Sequence, residues 1–261
     1  MSTEPELVLF EDKCIRCDEC FEVCPQNAHE KLPDGGRVYH DEECILCGKC
    51  VAVCYAEALV MEGRKVTVEE MMVELRKDIP FYENSGGGIT LSGGEPTLQH
   101  EFVLAVLKQC KSEGLHTTLD TSGQAQWKTF EKLLPYVDLV LYDLKHMNSV
   151  AHKIHTGISN RLIQENLSKI GESGTAIEIR IPIIPGINDA KENIAGSARF
   201  LTGVKSLTRV ELLPYHRLGE SKYGRLGMEY KLHDLEPPEK EQMHEIAKWM
   251  RHSGLEVHVG E

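Results

Sequence analysis

Residues 14–25 read CIRCDECFEVCP, and thirty positions later residues 44–55 read CILCGKCVAVCY. Eight of the nine cysteines of the chain lie in these two copies. Thiolates two residues apart in a tight turn can grip one face of an iron-sulfur cube, and the fourth cysteine of each run reaches the opposite cube in a two-cluster ferredoxin. The spacing therefore predicts one 4Fe-4S cluster on Cys14, Cys17, Cys20 and Cys54, and a second on Cys44, Cys47, Cys50 and Cys24. Pro25 completes the C-x2-C-x2-C-x3-C-P form, whereas Tyr55 takes that place in the second copy. Zinc also accepts four thiolates, but its usual pattern is two C-x2-C pairs separated by a loop, so the three-then-one spacing argues for iron. A disulfide framework is disfavoured, since nothing at the N-terminus reads as a signal peptide and 261 residues can bury a core without staples.

Working outward, the cysteine distribution divides the chain into a ferredoxin-like domain over residues 1–63 and a body over residues 64–261. The formal charge is −12 with no Lys/Arg-rich block, which leaves no electrostatic footprint for nucleic acid and favours protein or small-molecule partners. No apolar run approaches the roughly 20 residues needed to span a bilayer, so a soluble protein without a membrane partner is expected. Oxygen-sensitive clusters call for a reducing, anaerobic cytoplasm.

The body alternates strand-like and helix-like segments. Short apolar or β-branched runs bounded by Gly, Pro, Asp or Asn predict strands at 88–92, 116–121, 139–144, 176–182, 209–213 and 255–259. Helical patterns fill 66–82, 101–113, 127–134, 149–173, 189–201 and 238–252, and Phe102, Val103, Ala105, Val106 and Cys110 build one apolar face at three- and four-residue spacing. The alternation predicts an α/β fold with a parallel sheet and helical crossovers, as a barrel or an incomplete one. Chemistry in such folds sits at the C-terminal strand ends.

Those ends are polar. The first strand runs into Ser92-Gly93-Gly94-Glu95-Pro96, the second ends in Asp120-Thr121-Ser122-Gly123 and the third in Asp143-Leu144-Lys145. The fourth carries Arg180 and then Pro182, Pro185, Gly186 and Asn188, and the fifth ends in Pro214-Tyr215-His216. Two glycines let the backbone approach a ligand closely, with Glu95 adding a carboxylate at the rim. Taken singly, a Gly-Gly pair is more often a plain turn, a strand-end Asp a helix cap and His216 a satisfied structural histidine. Five successive polar strand ends weaken that bland reading.

The strings SGGGITLSGGEP, LDTSG, LYDLK, RIPIIPGIN and LLPYHRLGESKY, together with the two-cluster segment, resemble the activating enzymes of glycyl radical enzymes, within the radical S-adenosylmethionine superfamily. The ferredoxin segment is similar to the branch serving diol dehydratases, hydroxyphenylacetate decarboxylase and choline lyase; activators of pyruvate formate-lyase and anaerobic ribonucleotide reductase resemble it less. The resemblance implies a partial (β/α) barrel and S-adenosylmethionine as cofactor. It implies that Gly93, Gly94 and Glu95 hold the methionyl amino group, and that Asp120, Thr121 and Asp143 help hold a monovalent cation against the methionyl carboxylate. Lys145, with Asp143 and Leu144, would line the same pocket, and Arg180 and His216 would contact the ribose and adenine. The implied reaction is reductive cleavage of S-adenosylmethionine to a 5′-deoxyadenosyl radical that removes hydrogen from a glycine of a partner glycyl radical enzyme, with flavodoxin or ferredoxin as electron donor.

One departure stands out. The family's radical-generating cluster uses three cysteines in C-x3-C-x2-C, and after the eight ferredoxin ligands only Cys110 remains, on a helical apolar face where a small structural thiol is expected. In the family that motif lies on the loop after the first barrel strand. The sequence therefore carries the expectation of an N-terminally truncated chain, from a misassigned start codon or a deliberate boundary, with a natural loss of the motif as the second reading. The first strand would be missing, and a third, site-differentiated cluster would belong only to an extended form. No catalytic residue is identifiable. The competing function is an iron-sulfur electron-transfer or scaffold protein using a degenerate barrel as a docking module.

Overall fold

The computed structural model describes residues 5–33, 36–220, 223 and 229–260; positions 221 and 222 of the LLPYHRLGESKY string lie outside them. Two compact units are present, Met1–Val66 with Leu218–His233, and Thr67–Arg217 with Asp234–Glu261. The sequence places the join after residue 63 and has no place for the later segment.

In the first unit, β1 (Glu6–Leu9) pairs antiparallel with β4 (Leu59–Glu62), and β2 (His29–Lys31) with β3 (Arg37–Tyr39). Two single-turn helices, α1 (Glu19–Glu22) and α2 (Lys49–Ala52), each carry the third cysteine of a run. Cys20 and Cys50 are thereby buried with Leu7 and Leu59 in a small core. The thirty-residue repeat is thus structural as well as sequential.

The second unit begins with α3 (Val68–Arg76) and α4 (Ile79–Ser85), where the hydrophobic pattern had read as one helix. Pro80 stands in the first turn of α4, where its missing N–H costs nothing, but it cannot continue an earlier helix. Six parallel strands follow: β5 (Ile89–Leu91), β6 (Thr117–Thr121), β7 (Leu139–Asp143), β8 (Ala176–Ile183), β9 (Leu207–Pro214) and β10 (Val257–Val259). Each lies beside its predecessor in sequence, giving the order β10-β9-β8-β7-β6-β5. The connections carry α5 (His100–Ser112), α6 (Trp127–Leu133), α7 (Ser149–Thr156), α8 (Arg161–Ser173), α9 (Lys191–Leu201) and α10 (Lys240–Arg251). α7 and α8 replace another single predicted helix, because Gly157 closes α7 in the left-handed conformation.

The sheet has two unlike faces. On β8, Ile177, Ile179, Ile181 and Ile183 are buried and pack with Leu119, Val140, Tyr142, Leu167, Ile170 and Ile246 under the helices. Alternation by two puts Glu178 and Arg180 on the opposite face. Register carries the same parity across the sheet: Asp120 lies opposite Leu141, Asp143 opposite Arg180, and Arg180 opposite Glu211. A parallel sheet covered by helices on both faces reads as continuous apolar runs, whereas AIEIRIPI alternates. The second face is the polar one, and the strand-end residues collect there. Cys110 is fully buried beside Met72, as its apolar helical face predicted.

Candidate functional site

The cysteines of the first unit line two open concavities. One is bounded by Cys44, Cys47, Cys50 and Cys24, the other by Cys14, Cys17, Cys20 and Cys54, and Cys50 also touches the second. Each concavity therefore takes its fourth thiol from the other run. Donors already point at the sulfurs: Ala28 N–H to Cys24 Sγ at 3.3 Å, Leu46 N–H to Cys44 Sγ at 3.3 Å and Leu59 N–H to Cys54 Sγ at 3.4 Å. Arg37 Nη1 reaches Cys20 Sγ at 3.2 Å. Amides aimed at thiolate sulfur are what an iron-sulfur cluster needs around it, so this donor set fits one cluster per concavity.

In the second unit the strand ends converge through side chains. Arg180 lies between two carboxylates: its Nη2 bonds Asp120 Oδ1, and it reaches Asp143 Oδ1 from Nη2 at 3.0 Å and Nε at 3.2 Å. Burial works against the Arg180 charge, but Asp143 and Asp120 outweigh it and push its pKa above the ordinary arginine value. Lys145 Nζ stands 3.5 Å from Asp143 Oδ2, and Ser92 Oγ donates to Asp120 Oδ2 at 2.9 Å. Carboxylates, a guanidinium and an ammonium thus share one patch, the chemistry a zwitterionic ligand requires.

Glu95 behaves differently from its neighbours. Its Oε1 accepts from Thr97 N–H at 3.3 Å, Thr97 Oγ1 at 2.7 Å and Thr121 Oγ1 at 2.7 Å, and its Oε2 from Ser122 N–H at 2.9 Å and Ser122 Oγ at 2.6 Å. Burial raises its pKa, yet the bonds from Ser122, Thr97 and Thr121 overcome it and hold the carboxyl below the usual glutamate value. Glu95 therefore ties the loop after β5 to the loop after β6. Gly93 and Gly94 stand exposed beside this tie, and Gly93 takes φ 127°, which an L side chain rarely adopts. Thr121 is buried with its hydroxyl on Glu95, and the Leu144 side chain is buried in the core. Leu144 can offer a ligand only its backbone. His216 is exposed just past the end of β9.

Three residues quoted at the polar strand ends received no role from the sequence. Ser92 donates to Asp120, and Ser122 donates to Glu95. Asn188 donates from Nδ2 to the carbonyls of Lys145 at 2.8 Å and Pro182 at 2.6 Å, fastening the loops after β7 and β8. Its only sequence signal is a polar residue after Pro-Gly.

Comparison with known proteins gives the family. The 4Fe-4S dicluster domain signature matches residues 6–55, and that of the radical SAM superfamily matches residues 52–198. The (2S)-3-sulfopropanediol dehydratase activating enzyme of Klebsiella oxytoca is 38% identical over 262 residues, covering 97% of this chain and 82% of that protein. The pyruvate formate-lyase-activating enzyme of Clostridium pasteurianum is 39% identical over 189 residues, covering 72% of this chain and 79% of that protein. Identity does not separate the two branches. A crystal structure of a domain of pyruvate-formate lyase-activating enzyme from Bacteroides vulgatus superposes with a TM-score of 0.58 at 31% identity, covering 67% of this chain and 99% of that one. Iron-sulfur clusters and S-adenosylmethionine are the groups that these domains handle, and among the described residues no helix is long and apolar enough to cross a membrane. The chain belongs to the radical SAM superfamily and, within it, to the activating enzymes of glycyl radical enzymes.

Proposed function

We propose that this protein takes part in installing a radical on a glycine of a partner glycyl radical enzyme. The clusters supply single electrons, and S-adenosylmethionine, cleaved reductively, supplies the 5′-deoxyadenosyl radical that removes the glycine hydrogen. The residues of the chain bind and orient. The carrying observation is the joining of Asp120, Asp143, Lys145 and Arg180 at neighbouring strand ends beside the exposed Gly93-Gly94 turn. In this reading the turn offers its backbone to the methionyl amino group, and Glu95 holds the turn in place and adds its charge. Lys145 lies toward the methionyl carboxylate, and Arg180 with His216 toward the ribose and adenine. A monovalent cation would be held by Asp120, Thr121 and Asp143; the two carboxylates keep unused lone pairs despite Arg180. Flavodoxin or ferredoxin is the proposed electron donor, and the two four-cysteine sites relay or tune its electron.

Calorimetry with S-adenosylmethionine on the anaerobically reconstituted protein tests the pocket. Asp143→Ala and Gly94→Val should each weaken binding at least about tenfold, the scale of one lost charge-assisted hydrogen bond at about 1.5–3 kcal/mol. Unchanged affinity in both variants removes the strand ends from the cofactor site.

A second reading has its own observation: no C-x3-C-x2-C set lies among the 261 residues. A cluster closed by four thiolates offers no open iron, so these residues by themselves would serve electron transfer or scaffolding. With strong reductant and S-adenosylmethionine the 261-residue chain should form no 5′-deoxyadenosine. Its appearance in the chromatogram, abolished by a ferredoxin-cysteine change, would mean that one of the two clusters is site-differentiated.

A further inference from the structure

We propose that the two four-cysteine sites are electronically unequal, and that Arg37, anchored by Asp18, raises the reduction potential of the cluster on Cys14, Cys17, Cys20 and Cys54 above that of the other. The inference rests on the reading that each concavity holds one 4Fe-4S cluster. Arg37 donates from Nη1 to Cys20 Sγ at 3.2 Å and from Nη2 to Asp18 Oδ1 at 2.7 Å. Its guanidinium lies 4.9 Å from the Phe21 ring centroid, and its side chain is 15% exposed, so the charge is fixed in place and weakly screened.

The repeat shows that this contact belongs to one half only. Asp18 has φ 66°, and the residue thirty positions on is Gly48 with φ 73°. The left-handed conformation suits glycine, and among side chains aspartate is one of the few that tolerate it. What Asp18 contributes there is its carboxylate, set between Arg37 at 2.7 Å and Lys31 at 2.5 Å. Lys31 and Arg37 are directly opposed in the β2–β3 register, where two cations would repel without that anion between them. Around the other concavity, where His29 is the one ionisable side chain besides the cysteines, no arginine or lysine appears among the described lining residues. Its Cys44 meets the Tyr39 phenol, an uncharged donor.

One electron added to a cluster adds one negative charge, with no bond made or broken. A cation on a ligand sulfur stabilises the reduced form, and charge-assisted hydrogen bonds are roughly twice as strong as neutral ones. Backbone donors reach Cys24, Cys44 and Cys50 on the other site and Cys54 on this one, but all are neutral, so Arg37 supplies the one charged donor among these contacts. The cluster beside Arg37 is therefore reduced first and stores the electron, which gives the pair a direction.

The test is a potentiometric titration followed by electron paramagnetic resonance on the full chain, reconstituted anaerobically and scored first for iron. About eight iron atoms and two separated one-electron waves are expected, for two four-iron clusters. Arg37→Met should lower the upper wave by at least a tenfold change in the oxidised-to-reduced ratio at fixed potential, about 59 mV for one electron. The lower wave should stay in place, Arg37→Lys should restore part of the shift, and Cys17→Ser should move or abolish the same upper wave. Arg37→Gln, which keeps a neutral amide in the place of the cation, should lower it in the same sense and decides the matter if Arg37→Met does not hold its iron. Coincident waves in the parent protein, or unmoved waves in variants with full iron, overturn the proposal alone. A parent protein that takes up fewer than about eight iron atoms overturns the two-cluster reading, and this proposal with it.

Discussion

Glu95 keeps its charge in a half-buried position because hydroxyls and amides of Thr97, Thr121 and Ser122 all donate to it. Its folded pKa lies below the unfolded one, so the stability it contributes is present above the unfolded glutamate pKa and is lost as pH falls through the folded value. Glu95→Gln should cost about 1–3 kcal/mol at neutral pH, the scale of a bond to a charged group or an unsatisfied buried donor. It should also flatten the acid limb of the stability profile. Urea unfolding from pH 7 down to pH 3 checks both; equal midpoints and equal slopes would show that the tie between the β5 and β6 loops is not energetically significant. The residue was legible as a rim carboxylate. That it is satisfied from within the chain was not, since Ser122 lies 27 residues away in sequence.

At the scale of elements, strands were easier to read than helix ends. β8 announces itself through four isoleucines at period two, β7 through an apolar run ending in aspartate, and β6 through a β-branched run closed by Asp120-Thr121. The helices over 66–82 and 149–173 were each read as one because their apolar positions keep step across the break. What interrupts them is local: Pro80 in one case and the left-handed Gly157 in the other. α3 begins with a complete capping box, in which Thr67 Oγ1 accepts from Glu70 N–H and Glu70 accepts from Thr67 N–H at 2.7 Å. Thr67→Ala should cost about 1 kcal/mol, and Thr67→Ser much less, measured by thermal unfolding followed by circular dichroism. Equal losses in the two variants would show that the methyl packing of Thr67, and not the cap, matters.

For the whole molecule, the crossed arrangement of thiols makes the two cluster sites interdependent. The concavity of Cys44, Cys47 and Cys50 takes in Cys24, and that of Cys14, Cys17 and Cys20 takes in Cys54, so Cys24→Ala should empty the former while sparing the latter. Reconstituted Cys24→Ala protein should hold about four iron atoms, with the Arg37-linked wave retained. Loss of the Arg37-linked wave instead would mean that each run of four closes its own cluster, and retention of the full complement would mean that Cys24 is not a ligand.

The sequence by itself determined the type and order of most elements, the two-cluster segment and the strand ends that carry polar chemistry. These are local properties: cysteine spacing, period-two burial and the Gly, Pro or Asp that ends a run act over a few residues, and the chain cannot satisfy them otherwise. Only the tertiary structure decided which of those residues meet. Arg180 joins Asp120, 60 positions away, because strand register places β6, β7 and β8 side by side with the same parity. Arg37 meets Cys20 because the β2–β3 hairpin folds back over α1, and Asp18 accepts a strained backbone to hold it. Such pairings are set by packing and register across long separations, for which a linear pattern holds no signal until the strands are laid against one another.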